Sequence, residues 1–262
     1  MQKFYKIEYS KNALETWKSL ETAAPKTKEG YDSLYQFSKD TSRYHFDENF
    51  DDTKLLGTNM SPVIPIKRFD GDWTDEVAKL CKESKPATFG FRKETRTGTT
   101  NSLEENDFRS WGYDIDGGYT IANRIRKPEL PAILQNIVDS FGFESPYNVK
   151  FDVQMPGQCF YWHIDNFGGV LKSQRGEYDT FSPADIDQRK IMRCVIFLDD
   201  QRQGQQWQQG NLLLNWEKGD CITWPWKDIP HGTCNYGHIP RPVLNLTGIV
   251  TEQTEKLLNG SS

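Results

Sequence analysis

Apolar residues change their spacing partway along the chain, and the change divides it into two textures. Leu14, Trp17 and Leu20 recur at helical spacing with polar residues between them, which predicts a short amphipathic helix capped by Ser10. Trp73, Val77, Leu80 and Cys81 make a second helical stripe behind Asp72, with Asp75 and Glu76 in its first turn and Lys79 and Lys82 later, as the helix dipole favours. Leu130, Leu134, Ile137, Val138 and Phe141 form the most regular stripe, entered through Pro128 and closed by Gly142. Residues 22–60 hold no period, and 89–102 combine three basic residues with Gly and Thr, so both read as loops, the second as a mobile or substrate-facing one.

From about residue 146 the pattern shortens to strand-like runs near 147–155, 158–165, 190–199, 206–214, 219–226 and 242–250, punctuated by Gly, Pro, Asn and Asp. Repeated short strands with turn signals predict a sandwich or barrel. The run from Ile191 to Leu198 is nearly continuous apolar, as in a strand buried on both faces beneath an outer helical layer; Arg193 is the exception that needs a partner. With no internal repeat and no low-complexity linker, residues 1–262 are expected to form a single domain. Residues 1–145 read as a helical and loop elaboration, and 146–250 as the core.

Composition narrows the setting. Eight Trp, fifteen Phe and eleven Tyr in a chain of mean hydropathy −0.74 fit a packed globule with a polar exterior. No apolar run reaches membrane-spanning length, and the opening residues lack the apolar stretch of a secretory signal, so no membrane association and a cytoplasmic location are expected. Five scattered cysteines without a CxxC pair indicate neither a disulfide framework nor a zinc ribbon. A net charge of −5 argues against broad binding to a phosphate backbone, which makes nucleic acid an unexpected partner.

The candidate chemistry centres on Tyr161-Trp162-His163-Ile164-Asp165, where an imidazole and a carboxylate two residues apart share one face of a strand. Such a pair aimed at an apolar interior is costly unless compensated, and a divalent metal compensates both groups at once. His231 stands 66 positions after Asp165, room for the intervening strands of a jelly roll, and two histidines with one carboxylate suit a mononuclear Fe(II) site with open positions. Arg241 follows His231 by ten residues, enough to turn and start the next strand, where its planar fork can hold a carboxylate bidentately. His45 and His238 read as ordinary loop histidines, and Trp224 and Trp226 as core.

These residues, His163-Ile164-Asp165, then His231, then Arg241, resemble the 2-oxoglutarate- and Fe(II)-dependent oxygenase superfamily. The flanks Gln154-Met155-Pro156-Gly157-Gln158 and Ile229-Pro230-His231 look like a phage and bacterial branch of it. The resemblance covers about 146–250. It implies a double-stranded β-helix, mainly β with flanking helices and cupin-like, with Fe(II) held by His163, Asp165 and His231, and 2-oxoglutarate held by Arg241. It further implies O₂ as co-reactant and succinate and CO₂ as products. The family's frequent Ser or Thr two positions after the arginine is absent, Val243 standing there, so Tyr161, Gln154, Asn245 and Arg193 are candidates for a second donor to the cosubstrate. The second arginine of nucleic-acid repair members is replaced by Thr247, and the carboxylate that halogenases lack is present as Asp165. Hydroxylation of a small polar molecule or an amino-acid side chain in a peptide is therefore the expected reaction, against the alternative of an inactive jelly-roll metal- or ligand-binding protein. The long connection from Asn166 to Gln188 begins one residue after Asp165 and is expected to form a lid, with Arg175 and Tyr178 reaching substrate.

Overall fold

The computed structural model describes residues 3–9, 13–21, 61–89, 102–112, 119–165, 191–226 and 229–260. Two sheets face each other. The larger has strand order β2-β10-β7-β12-β5-β4-β3, built from β2 (Ile64–Arg68), β3 (Lys85–Phe89), β4 (Tyr119–Arg126), β5 (Glu144–Gln154), β7 (Ile191–Phe197), β10 (Asp220–Thr223) and β12 (Arg241–Ile249). The smaller has order β1-β9-β8-β11-β6, from β1 (Lys3–Lys6), β6 (Gln158–His163), β8 (Gln205–Gln209), β9 (Leu212–Asn215) and β11 (His231–Asn235). From β5 onward successive strands fall mostly in alternating sheets, and the two four-strand sets β10-β7-β12-β5 and β9-β8-β11-β6 interleave as a double-stranded β-helix.

Side-chain parity on the larger sheet explains both layers. Phe151, Val153, Met192, Cys194, Ile196, Leu244 and Leu246 point to one side. There they form a single core with Trp17 of α1 (Ala13–Glu21), Val77 and Leu80 of α2 (Thr74–Glu83), Leu134, Ile137 and Val138 of α4 (Ala132–Ser140) and Leu257 and Leu258 of α5 (Glu252–Leu258). The remaining helix, α3 (Ser102–Ser110), contributes Phe108 to a small satellite cluster with Ala87 and Ile121. The opposite parity faces the smaller sheet. Ile191, Val195, Phe197, Ile222 and Val243 meet Trp207, Leu214 and Trp216 there, closed by Trp224 and Trp226. The Ile191–Phe197 strand is thus buried on both faces beneath a helical layer, as its apolar run requires.

The three helical stripes correspond to α1, α2 and α4. α2 starts where Asp72 Oδ1 accepts from the Thr74 backbone N–H at 3.2 Å and its hydroxyl at 2.7 Å, and α4 starts at Pro131 rather than Pro128. Residues 1–145 carry more than helices and loops: β1 pairs parallel with β9, β2 pairs antiparallel with β10, and β3 and β4 extend the larger sheet past β5. These strands are short or broken by polar residues, so no sustained alternation marks them. The run at 206–214 splits at Gly210 into β8 and β9, and β11, which carries His231, has too few apolar residues to read as a strand.

Candidate metal centre

His163 ends β6 and His231 opens β11, and these antiparallel strands pair so that the two histidines lie directly opposite each other. A register slip between His231 and Thr233 gives β6 one extra residue there, which brings Phe160 onto the face of His163, ring centroids 4.1 Å apart. The imidazole centroids are 4.3 Å apart. Just beyond β6, the backbone N–H of Asp165 donates to Trp226 O at 3.3 Å, which turns its carboxylate toward the same point. One ligand atom from each of His163, Asp165 and His231 lies within 4.8 Å of the other two, and all three residues are buried.

Second contacts set the ring orientations. His163 Nδ1 donates to the carbonyl of Tyr161 at 2.6 Å, a bond that fixes the tautomer and leaves the lone pair on Nε2. His231 lies parallel to Trp207 at 5.9 Å between ring centroids and edge-on to Trp224 at 5.0 Å, and its Nε2 is 3.9 Å from Asp165 Oδ2. Arg193 is the cation beside this cluster: its Nε is 3.3 Å from Asp165 Oδ2 and its Nη1 donates to Thr247 Oγ1 at 3.3 Å. The donor set is two imidazoles and one carboxylate, a set that suits a divalent first-row metal with positions left open.

Arg241 opens β12 on the same inward face, opposite Gln154. Its guanidinium is 4% exposed and lies over Trp207 and Trp216, 5.3 and 5.8 Å from the ring centroids, so Trp207 is shared between Arg241 and His231. One N–H is answered: Nη2 donates to Gln154 Oε1 at 2.5 Å. Nε and Nη1 have no hydrogen-bond partner among the described residues. Burial pushes the group down from its ordinary value to about 10, so it remains charged at neutral pH. A buried guanidinium with two unanswered donors is the arrangement that an incoming carboxylate would satisfy.

The other residues singled out in the sequence fall in different places. Gln154 holds Arg241 and donates to Ile121 O, and Asn245, four residues further along β12, donates to Asp152 Oδ2 at 2.8 Å. Arg193 meets Asp165, and Tyr161 packs edge-on to Phe108 at 5.4 Å, beside a different apolar cluster from that of Trp207. Arg175 and Tyr178, with the expected lid, lie outside the described residues, as do His45 and most of 89–102. Trp224 and Trp226 are buried as expected, though Trp224 also forms a wall of the histidine pair.

Sequence reading passed over three inward charges. Lys150 and Asp152 alternate with Val149, Phe151 and Val153 along β5, and Arg124 sits opposite Asp152 on β4, bound to it at 2.5 and 3.0 Å. Burial opposes the charge on both partners, yet each holds the other ionised, Arg124 above its ordinary value and Asp152 below. Their signal was visible as the strict polar alternation Asn148, Lys150, Asp152, Gln154, a face that points into the barrel.

Interleaved sheets define a double-stranded β-helix protein, and its inward His-Asp-His cluster is a set of ligand atoms that could hold a metal ion. No family model and no curated protein matches the chain. Among solved structures it is similar to a prolyl-4-hydroxylase from Pseudomonas putida, at 13% identity and a TM-score of 0.43, over 75% of this chain and 96% of that one. It is also similar to the viral collagen prolyl hydroxylase of Paramecium Bursaria Chlorella virus-1, at 12% and 0.38 over 73% and 97%. A third is the non-heme alpha ketoglutarate dependent epimerase SnoN from nogalamycin biosynthesis, at 9% and 0.44 over 76% and 82%.

Proposed function

We propose that the protein is a 2-oxoglutarate-dependent oxygenase that uses Fe(II) and O₂ to hydroxylate a small polar molecule or an amino-acid side chain in a peptide. One observation carries this reading. The barrel that buries the His163, Asp165 and His231 cluster also buries Arg241, a guanidinium whose Nε and Nη1 meet no acceptor among the described residues. A metal triad alone fits many chemistries; a desolvated carboxylate receptor in the same barrel selects a carboxylate cosubstrate.

His163 Nε2, the Asp165 carboxylate and His231 would hold the iron, which supplies the activation of O₂ coupled to decarboxylation of the keto acid. The chain's own part is positioning. Tyr161 O fixes the His163 tautomer, Trp207 and Trp224 clamp His231, and Gln154 aims the Arg241 fork. Arg241 would bind the far carboxylate of 2-oxoglutarate in a site walled by Trp207 and Trp216, where exclusion of water strengthens the pairing. The substrate is a small polar molecule or a peptide segment.

The test is anaerobic binding of 2-oxoglutarate with and without Fe(II), followed by aerobic assay of succinate. Iron-dependent binding and slow succinate release, accelerated by the true substrate from a metabolite and peptide panel, are expected. Metal and 2-oxoglutarate binding without succinate under any substrate would leave a binding protein instead of an enzyme.

A further inference from the structure

The inner faces of β4, β5, β7 and β12 carry more positive charge than the proposed reaction components consume. Arg124, Arg126, Lys150, Arg193 and Arg241 share the inner side by strand parity, and among the described residues the carboxylates set against them are Asp152 on β5 and Asp165 just beyond β6. A divalent metal and dianionic 2-oxoglutarate cancel each other, so the described residues of the loaded site keep a net positive charge.

Within this set the cations differ in what they already hold. Arg124 is committed to Asp152, and Arg193 to Asp165 and Thr247. Arg241 is the carboxylate receptor already assigned. Lys150 is partly buried on the middle of β5, opposite Asn245 on one side and Arg126 on the other, and has no hydrogen bond or ion pair among the described residues. Asn245, the nearest polar side chain on β12, turns its amide to Asp152 instead. Burial, with Arg193 and Arg124 nearby, pushes the ammonium down to about 7, while Asp152 and Asp165 partly offset this. An ammonium kept in such a place without a partner costs stability, and an arriving oxyanion would remove that cost.

We propose that Lys150, flanked by Arg193 and Arg126, is the anchor for an anionic group, a carboxylate or phosphate, on the primary substrate of this site. The inference rests on the oxygenase reading and narrows it: the substrate is an acid, and its charged end docks on β5 while the carbon to be oxidised faces His163, Asp165 and His231. Lysine suits this role because its ammonium accepts either a carboxylate or a phosphate without requiring fork geometry.

Protein loaded with Mn(II) and 2-oxoglutarate would be titrated with acetate and, separately, with inorganic phosphate by calorimetry, for the native chain, Lys150→Met and Lys150→Arg. Saturable binding of at least one probe is expected, weakened tenfold or more in Lys150→Met, restored to within about threefold in Lys150→Arg, with 2-oxoglutarate affinity unchanged in all three. The stronger probe tells a carboxylate substrate from a phosphorylated one. Equal probe binding in Lys150→Met, or no binding to the native chain, would overturn the proposal. A tenfold loss of 2-oxoglutarate affinity in Lys150→Met would overturn it too, by assigning Lys150 to the cosubstrate. If no version binds 2-oxoglutarate yet the anion effect still follows Lys150, the anchor stands and the cosubstrate reading falls.

Discussion

Replacing Arg241 by Met separates a residue kept for a ligand from one kept for the fold. Burial takes the guanidinium from its ordinary value down to about 10. Because a base whose pKa falls on folding is penalised at every pH below the folded value, the charge costs the fold about 3 kcal/mol at neutral pH. Stacking over Trp207 and Trp216 returns about 1–2 kcal/mol. Met fills the stem's volume without the charge, so the unliganded variant is expected within about 2 kcal/mol of the native chain, on the stabilised side. Its melting temperature should therefore rise by no more than about 4–8 °C at 2–4 °C per kcal/mol. The ligand response should diverge. At a 2-oxoglutarate concentration of about 100 times Kd, the native protein with Mn(II) gains about 2.7 kcal/mol. Loss of a buried carboxylate pairing costs about 2–5 kcal/mol, which erases that gain in the variant. Differential scanning calorimetry with and without 2-oxoglutarate reads both effects. A variant destabilised by more than about 4 kcal/mol without ligand, or one whose 2-oxoglutarate shift matches the native protein's, would refute the reasoning.

Three further outcomes follow from the same geometry. His231→Ala should abolish stoichiometric Mn(II) or Fe(II) binding, measured by metal analysis after gel filtration, while far-UV circular dichroism stays native. Native stability should rise between about pH 7 and 10, because the unfolded chain holds the Lys150 proton that the folded one releases; Lys150→Met should flatten this by about 3–4 kcal/mol in urea titrations across that range. Gly219 has φ +88, and a Cβ there would sit 2.0 Å from Phe69 O, whose own N–H bonds Gly219 O at 3.0 Å; Gly219→Ala should cost about 2 kcal/mol or more by chemical denaturation.

The clustering of His163, Asp165 and His231 was legible because it is carried by few, rare residue types at fixed spacing: the chain has four histidines, and an extended backbone brings His163 near the residue two positions on. Arg241 was legible by offset, but its bond to Gln154 was not, since that pairing depends on β5 and β12 being neighbours, 87 residues apart in sequence. The interior charges went unremarked for a physical reason. An alternating strand is ordinarily read with its polar face to solvent, as for Lys150 and Asp152, yet in this barrel the apolar face of β5 packs beneath helices and the polar face turns inward. Strands β1, β2 and β3 escaped notice because edge strands draw their pairing from a neighbour already formed and need little periodicity of their own, and β4, between β3 and β5, has its alternation broken by Asn123 and its arginines.

β1 has a consequence for how the protein can be handled. It lies parallel to β9 at the rim of the smaller sheet, with Ile7 buried and Tyr9 Oη donating to Asp220 Oδ1 at 2.5 Å. Without it, the backbone of Leu212-Leu213-Leu214 becomes an uncovered strand edge of three consecutive leucines, open to recruitment of the same segment from another molecule. Shortening the chain by its first nine residues would thus spare His163, Asp165, His231 and Arg241 and still be expected to promote aggregation. An affinity tag belongs after α5, away from that rim.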